Sequence, residues 1–298
     1  MPVPDTLKAE LLFDAGAILG EGPLWEHKTG MLYWVDIEGC RLHRHEPLTG
    51  RNRAWEFDGM PGAVIPAKDG RLILAHEKGL MLFDPVSGET QALGLLENTD
   101  PRLRFNDGKC DPFGNIWIGT MDKGLAPSAG KLYRMDSRQR VSVMLNGTTV
   151  SNGMAWSPDN RYMYYTDSPT WQVWRFDYDR ETAAISNRKI VIDIPEELGV
   201  PDGMTIDQEG MLWIAHWGGN CVRQWNPGTG EILRTVTVDA PNVTSCCFGG
   251  PELDMLYITT AQSGLNATER AEFPLSGGLF FCRPGARGTD TGYYNLTI

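Results

Sequence analysis

The sequence predicts an all-β protein, and three observations support this class. A phrase made of a turn, a short apolar strand and a polar residue recurs six times along the chain. No segment of about 12 or more residues shows a convincing helical period, and the best helical candidate is a single turn at 195–198. The 34 glycines and the 41% hydrophobic content fit a turn-rich globular protein. The six copies read GMLYWVD (30–36), GRLILAH (70–76), GNIWIGT (114–120), RYMYYTD (161–167), GMLWIAH (210–216) and DMLYITT (254–260).

The spacing of the repeats predicts how the strands are organised. A shorter strand precedes each copy, and the slots that open these strands start at 21, 61, 107, 152, 202 and 245, which are 40 to 50 residues apart. A repeat of this length that contains four short strands is typical of a propeller blade. Outer segments such as GLMLFDPVSGE (79–89) alternate apolar and polar residues before a turn, as half-buried hairpins do. We therefore predict a six-bladed β-propeller.

The predicted blades follow one another without a linker, so we expect residues 1–298 to form a single domain. A propeller must close its ring, and the N-terminal segment LKAELLF (7–13) is a suitable strand to complete the last blade. The blades are predicted to span roughly 20–52, 60–95, 104–145, 150–192, 200–238 and 243–285.

Composition and charge limit the classes of partner. The net charge of −11 argues against nucleic-acid binding, which needs a basic face. No apolar run approaches the roughly 20 residues that span a bilayer, so no membrane partner is expected. The N-terminus lacks the pattern of a signal peptide, and the six cysteines lack a C-x-x-C spacing. We expect a cytoplasmic protein with reduced thiols that is a monomer or a weak homo-oligomer.

Three oxygen-bearing residues occupy the same slot in three of the copies. Glu21, Asn152 and Asp202 each open the innermost strand of a blade, and each precedes a glycine. Equivalent positions of a propeller converge on its central channel, so these side chains are expected to meet there. Two carboxylates and an amide suit a hard divalent cation and leave positions open for water and substrate. Each residue alone could be a turn former, but three in one slot favour a central metal site for Ca²⁺, Mn²⁺, Mg²⁺, Zn²⁺ or Fe²⁺.

The segment RFNDGKCD (104–111) supplies candidate substrate-binding residues. Arg104 and Asn106 lie just ahead of the third slot, and Asp107 occupies it. An arginine at the mouth of a channel can donate to an oxygen-rich ligand or an oxyanion. An Arg–Asp pair that only holds the loop is the structural alternative. The residues at the ends of the repeated strands are expected to form a second ring. They could be partners of the site or simple turn starters. The ring consists of Asp36, His76, Thr120, Asp167, His216 and Thr260.

Five long phrases, in order and correctly spaced, resemble the gluconolactonase, regucalcin (senescence marker protein) and luciferin-regenerating-enzyme family. The resemblance covers about residues 10–283 and implies a six-bladed β-propeller with metal ligands at Glu21, Asn152 and Asp202. It implies that Asp202 is also the general base, and that Arg104 and Asn106 contact the hydroxyls and carbonyl of the substrate. The lid segment 122–130 departs from the family pattern, so its contacts cannot be transferred. The phrases are LGEGPLW (19–25), RFNDGKCDPFGNIWIGTM (104–121), SNGMAWSPDNRYMYYTDS (151–168), PDGMTIDQEGMLWIAHWGG (201–219) and PLSGGLF (274–280).

The resemblance and the candidate site imply a metal-dependent hydrolase of carbohydrate metabolism, a sugar lactonase. It would open a pentono- or hexono-aldonolactone to the aldonic acid, with Asp202 deprotonating the attacking water and the oxyanion held near Arg104 or Asn106. The alternative is a calcium-binding regulatory protein of the regucalcin type without a catalytic role. Phosphotriester hydrolysis is a weaker third hypothesis. The sequence has no G-x-S-x-G motif, P-loop or dinucleotide fingerprint.

Overall fold

A computed structural model describes residues 5–94, 96 and 100–296 and confirms the all-β class. Strands account for 56% of the structure and helices for 4%. Within these ranges the helical elements are one short α-helix, α1 (Ala267–Glu272), and two 3-10 turns at Ser168–Thr170 and Glu196–Leu198. The second of these turns coincides with the candidate at 195–198. None of the helices in the described ranges is long and apolar enough to span a bilayer.

Most strands belong to four separate sheets of four antiparallel strands each. Two short strands precede them, β1 (Asp5–Lys8) and β2 (Glu10–Phe13). Within each sheet the strands are adjacent in chain order. The first sheet consists of β3 (Gly20–Glu26), β4 (Met31–Asp36), β5 (Arg41–Glu46) and β6 (Arg51–Glu56), and the second of β7 (Pro61–Pro66), β8 (Leu72–His76), β9 (Gly79–Phe83) and β10 (Thr90–Ala92). The third sheet consists of β11 (Leu103–Cys110), β12 (Ile116–Asp122), β13 (Gly130–Met135) and β14 (Val141–Thr148). The fourth consists of β15 (Ser151–Trp156), β16 (Tyr162–Asp167), β17 (Gln172–Tyr178) and β18 (Ile185–Asp193).

The remaining strands form one nine-stranded sheet that consists of two similar units. A single bridged pair, Trp217 and Asn242, joins the two units. In the first unit β1 is added in parallel at the edge, and in the second unit β2 is the fourth strand. The first unit contains β19 (Val200–Ile206), β20 (Leu212–Trp217), β21 (Cys221–Asn226) and β22 (Glu231–Thr237), and the second contains β23 (Asn242–Gly249), β24 (Met255–Ala261) and β25 (Leu279–Cys282).

The N-terminal segment 7–13, predicted as one strand, is divided between these two units. Leu7 in β1 pairs with Val236 in β22, whereas Leu11 in β2 pairs with Phe280 in β25. Ala9 lies between the two strands and donates its N–H to the carbonyl of residue 237 at 2.8 Å. Only β2 therefore completes the last unit.

The innermost strands of the six units form a closed cycle. β3, β7, β11, β15, β19 and β23 each contact the next, and β23 contacts β3. This arrangement is consistent with a β-propeller, in which the sheets pack around a central channel. Large aromatic side chains of the repeated phrases fill the space between the sheets. The fully buried ones include Trp34, Trp117, Tyr165, Trp213 and Tyr257.

A buried aspartate anchors the turn before the repeated strand in two of the units. Asp111 accepts hydrogen bonds from two backbone N–H groups of its own turn, at 2.9 and 2.8 Å, and from the indole of Trp117 at 2.9 Å. Asp207 makes the equivalent bonds to its own turn and to Trp213. The hydroxyl of Tyr178, in the next unit, also donates to Asp111 at 2.6 Å. Asp111 therefore ties two neighbouring sheets together.

The segment after β25, residues 283–296, is called the tail here, and it crosses one end of the channel. Tyr294 donates its N–H to the carbonyl of Pro66 at 2.9 Å, and the hydroxyl of Tyr293 donates to Oε1 of Glu26 at 2.7 Å. Residues 289–292 line a small cavity of about 90 Å³ between the innermost strands. The tail thus covers the channel at the end where the innermost strands finish.

Candidate functional site

A register shift near the start of every innermost strand positions the slot residues. In each unit one extra residue interrupts the pairing between the innermost strand and its neighbour. A β-bulge of this kind bends the strand and re-aims a side chain. The glycine after the slot allows close packing, because a Cβ at Gly153 would lie 2.6 Å from the carbonyl oxygen of Asp202 in the next unit.

The structure brings Glu21, Asn152 and Asp202 together, and these three residues are called the floor group below. All three are buried, with 5%, 3% and 6% of their surface exposed. The amide of Asn152 donates to Oδ1 of Asp202 and, at 3.1 Å, to the hydroxyl of Ser168. Glu21 accepts the N–H of Gly22 at 2.8 Å, and its carboxylate lies close enough to that of Asp202 for the two charges to repel. Residues up to 181 positions apart in the chain, 21 and 202, therefore meet at one point.

Burial and mutual repulsion raise the proton affinity of the two carboxylates in the floor group. Burial, and then repulsion from Asp107, raises the pKa of Glu21 from 4.5 to about 8. Burial, and then repulsion from Glu21 and Asp107, raises the pKa of Asp202 well above its ordinary value. Two buried carboxylates side by side do not both ionise unless a positive charge compensates them. The pKa of Glu21 is raised even though the charge of Arg104 lowers it, so the pair retains a proton at neutral pH unless a further positive charge is present.

The chemistry of the floor group fits an oxygen-bound divalent cation. The carbonyl oxygen of the Asn152 side chain is buried and has no hydrogen-bond partner among the described residues. A cation would offset the burial and repulsion that raise the pKa values of Glu21 and Asp202. No three His, Cys, Asp or Glu residues come together in a metal-binding cluster in the described part of the chain, and the floor group itself combines two carboxylates with one amide. Glu21, Asn152 and Asp202 are thus the residues that could hold such an ion.

Arg104 and Asn106 lie beside the floor group in the same cleft. The guanidinium of Arg104 donates to Oδ1 of Asn106 at 2.6 Å, and the amide of Asn106 donates to the carbonyl of Ser151 at 2.9 Å. Arg104 is buried, which lowers its pKa, while the charges of Glu21 and Asp202 oppose that effect. An arginine remains protonated under such conditions, so the cleft holds a buried, oriented cation next to the two carboxylates.

Asp107 is the predicted substrate contact that the structure does not place in the cleft. It lines the small cavity of about 90 Å³ together with Lys109. Both of its carboxylate oxygens are buried without a hydrogen-bond partner in the described ranges, and burial raises its pKa. The Arg–Asp pair considered from the sequence is therefore not formed as a hydrogen bond, since Arg104 bonds to Asn106 instead.

Strand pairing explains why Asn106 and not Asp107 reaches the cleft. In every unit, one residue of the innermost strand pairs with the last residue of the repeated phrase, and the slot is the residue that follows it. In the third unit Phe105 pairs with Thr120, the last residue of GNIWIGT (114–120). The third slot is therefore Asn106, one residue earlier than the sequence spacing suggests. The same count gives Glu21, Gly62, Asn106, Asn152, Asp202 and Thr244 as the equivalent residues.

The cleft has a volume of about 750 Å³ and extends well beyond the floor group. The predicted lid segment 122–130 contributes Lys123, Leu125 and Pro127 to its wall. Trp171 and Trp217 also line the wall and were not predicted, although Trp217 directly follows the fifth repeated phrase. The complete lining is Leu19, Glu21, Glu38, Met60, Arg104, Asn106, Met121, Lys123, Leu125, Pro127, Thr149, Val150, Asn152, Ser168, Pro169, Trp171, Val200, Pro201, Asp202, Trp217 and Ser263.

The strand-end residues that were expected to form a second ring lie outside the cleft lining. Asp36 accepts the N–H groups of residues 18 and 19 at 3.1 and 2.9 Å, and Asp167 accepts those of residues 149 and 150. Thr260 donates to the carbonyl of residue 278 at 2.7 Å. Burial lowers the pKa of His76, and it lowers that of His216 to about 3. These contacts hold the connections between strands, which supports the turn-starter interpretation.

The chain is similar to a known protein family over most of its length. Residues 19–262 match the SMP-30/gluconolactonase/LRE-like region. Regucalcin of Danio rerio is 37% identical to the chain over 277 residues, which cover 92% of this chain and 94% of that relative. Pentonolactonase XacC of Haloferax volcanii is 38% identical over 248 residues, which cover 83% of each chain.

Solved structures show the same similarity. The structure of a calcium-binding protein, regucalcin, from Agrobacterium tumefaciens matches this chain with a TM-score of 0.94 at 26% identity. The matched region covers 99% of this chain and 100% of the regucalcin chain. Luciferin-regenerating enzyme has a TM-score of 0.90 at 33% identity, with 97% and 99% of the two chains covered.

Proposed function

Because the chain belongs to the SMP-30/gluconolactonase/LRE-like family, we propose that it hydrolyses a sugar lactone, a pentono- or hexono-aldonolactone, to the aldonic acid. The observation that carries the proposal is the cleft, where the floor group meets Arg104 and Asn106. Carboxylate, amide and guanidinium groups at one point suit a ligand with several hydroxyls and a carbonyl. One relative with 38% identity, XacC, is a pentonolactonase.

We further propose that the six four-stranded units are the blades of one six-bladed β-propeller domain that spans residues 1–298, with blade limits close to those predicted. The closed cycle of innermost strands supports this proposal. The pairing of β2 with β25 supports closure of the ring by the N-terminal part of the chain. The metal site would then lie in the channel at the open end.

The residues of the cleft are suited to hydrolysis through a tetrahedral intermediate. Asp202 takes a proton from the water that attacks the lactone carbonyl, and a bond forms between the water oxygen and the carbonyl carbon. The oxyanion faces the guanidinium of Arg104, which Asn106 holds in place. Collapse of the intermediate breaks the bond between the carbonyl carbon and the ring oxygen, and Asp202 returns the proton to that oxygen, which becomes a hydroxyl.

A divalent cation held by Glu21, Asn152 and Asp202 would, when bound, polarise the lactone carbonyl as a Lewis acid. Glu21 and Asp202 retain a proton between them while their charges are uncompensated, so Asp202 acts as a base only when that charge is balanced. The amide of Asn152 holds Asp202 in position through its hydrogen bond to Oδ1.

Proton release from a panel of pentono- and hexonolactones tests the proposal directly. The protein is stripped with a chelator, and Ca²⁺, Mg²⁺, Mn²⁺, Zn²⁺ or Fe²⁺ is then added in turn, with spontaneous hydrolysis subtracted. Acceleration of one lactone that depends on one ion would support the reaction, the substrate and the cofactor together. No acceleration with any lactone, from protein shown to bind the ion, would refute it.

The second candidate function is calcium binding without catalysis, and the similarity to a calcium-binding regucalcin at a TM-score of 0.94 favours it. The floor group would serve the same role as ligands. This function predicts heat of Ca²⁺ binding in calorimetry that Asp202→Ala abolishes, together with no turnover of any lactone in the panel.

A further inference from the structure

The wall of the cleft differs in character from its floor. Of the 21 residues that line it, 11 are apolar, and the buried polar side chains gather at the floor group, Arg104, Asn106 and Ser168. A volume of about 750 Å³ lies in the range of roughly 300–1,000 Å³ that holds drug-sized ligands. A monosaccharide lactone is much smaller than such a ligand. The floor therefore matches a lactone ring, and the wall leaves apolar space beside it.

The charged residues of the wall give no support for a charged substituent. Lys123 forms an ion pair with Glu77 at 3.2 Å. Glu38 accepts a hydrogen bond from the hydroxyl of Ser263 at 3.1 Å. Both charged groups therefore already have partners within the protein, and most of the other residues of the wall are apolar.

Two large apolar residues of the wall are held in a backbone conformation that is unfavourable for them. Leu125 has a φ of 61° and Trp171 a φ of 52°. The left-handed region suits glycine and asparagine, and a bulky side chain there is an outlier. Leu125 is also 60% exposed. Both residues thus present an apolar side chain to the cleft from a backbone conformation that costs energy.

Trp171 also carries an unused hydrogen-bond donor. Its Nε1 is buried and has no partner among the residues that the structure describes. The backbone around it is fixed, since its N–H donates to the carbonyl of Ser168 at 3.1 Å and its carbonyl accepts the N–H of Ile194 at 2.8 Å. The indole is therefore held in place and contributes apolar surface to the wall of the cleft.

We propose that the substrate is a lactone with an apolar substituent, alkyl or aromatic, that lies against Leu125, Trp171 and Trp217 while the ring lies on the floor group. This inference rests on the proposed lactonase function and changes the favoured substrate from an unsubstituted sugar lactone to a lactone that carries an apolar group. Each methylene that enters the wall should raise affinity by about fourfold, which corresponds to about 0.8 kcal/mol.

The test uses γ-lactams whose ring carries an n-alkyl chain from methyl to hexyl, because the amide bond of a lactam resists hydrolysis better than the ester bond of a lactone. Their affinities are measured by calorimetry on the cation-loaded full chain, and the matched γ-lactones are assayed for turnover. In wild type the affinity should rise with chain length. Leu125→Asn should reduce the hexyl-to-methyl affinity ratio by about tenfold, since asparagine tolerates the backbone conformation but offers no apolar surface.

Leu48→Asn is the matched control, because Leu48 is 97% exposed and lies outside the cleft. It should keep the wild-type dependence on chain length. Affinities that do not change with chain length, in protein that hydrolyses unsubstituted sugar lactones, would overturn the apolar substituent and leave the proposed function intact. Binding that tightens with chain length but no turnover of any lactone would overturn the hydrolysis and support the apolar wall.

Discussion

Glu21→Gln removes one of the two buried carboxylates and should stabilise the cation-free protein at alkaline pH. Burial and Asp107 raise the pKa of Glu21 from 4.5 to about 8. A carboxyl whose pKa is higher in the folded than in the unfolded state contributes stability that is complete below pH 4.5 and is lost as the pH rises through 8. Each unit of pKa difference corresponds to about 1.4 kcal/mol, so a rise from 4.5 to about 8 lowers the free energy of unfolding by about 5 kcal/mol across this window, an effect that Glu21 shares with the neighbouring Asp202.

Urea unfolding in the presence of a chelator, at pH values from about 5 to 9, measures this effect. Wild type should lose stability steadily over the range, whereas Glu21→Gln should lose less, and the two curves should separate by several kcal/mol above pH 8. Exposed Glu38 lies on the rim of the same cleft, and Glu38→Gln should follow wild type. Added Ca²⁺ should stabilise wild type more than Glu21→Gln, because ligand binding favours the folded state. Parallel curves for wild type and Glu21→Gln would refute the electrostatic argument.

Asp202→Asn should lower kcat at least about 10²-fold on the preferred lactone while the protein remains folded, because an amide cannot take the proton of water; wild-type turnover would exclude Asp202 as the base. Asp111→Ala should lower the free energy of unfolding by about 3–5 kcal/mol, since it leaves buried donors without an acceptor. Exposed Asp159→Ala should change it by less than about 1 kcal/mol, and equal effects of the two substitutions in urea unfolding would contradict the role of Asp111. Deletion of residues 1–13 should lower Tm, by roughly 2–4 °C for each kcal/mol lost, and an unchanged Tm in a calorimetric scan would count against closure by β2.

The repeated phrase was sufficient to predict the all-β class and the set of innermost strands. Its signal is strong because each copy ends in a buried strand with the same pairing to the strand before it. Glu21, Asn152 and Asp202 share one position in that pattern, and the structure brings them together. Their functional roles stay a prediction until they are tested by substitution.

The choice between Asn106 and Asp107 shows where the sequence stops being informative. In β11 the register shift lies between Phe105 and Gly108. The alternation of side chains is therefore interrupted at Asn106 and Asp107, which lie between them. The spacing to the next glycine pointed to Asp107. The pairing of Phe105 with Thr120 instead puts the following residue, Asn106, in the slot. A count of residues cannot resolve a difference that depends on where the extra residue of a bulge lies.

Other features were missed for different physical reasons. The helix α1 has a readable signal, because Asn266 and Glu269 form a capping box at its start. The parallel pairing of β1 with β22 has no local signal, since it joins segments from distant parts of the chain. The positive φ of Leu125 and Trp171 is set by the surrounding turns and not by these residues' own preferences.

The pairing of β2 with β25 determines when a newly made chain can begin to function. These strands come from opposite ends of the sequence, so the sixth unit is complete only after Cys282 has been synthesised. Glu21 lies in the first unit and Asp202 in the fifth, and the sixth unit lies between them in the cycle. A nascent or C-terminally shortened chain would therefore present open strand edges and no assembled floor group. We expect binding at the floor group to require that the last strand is in place.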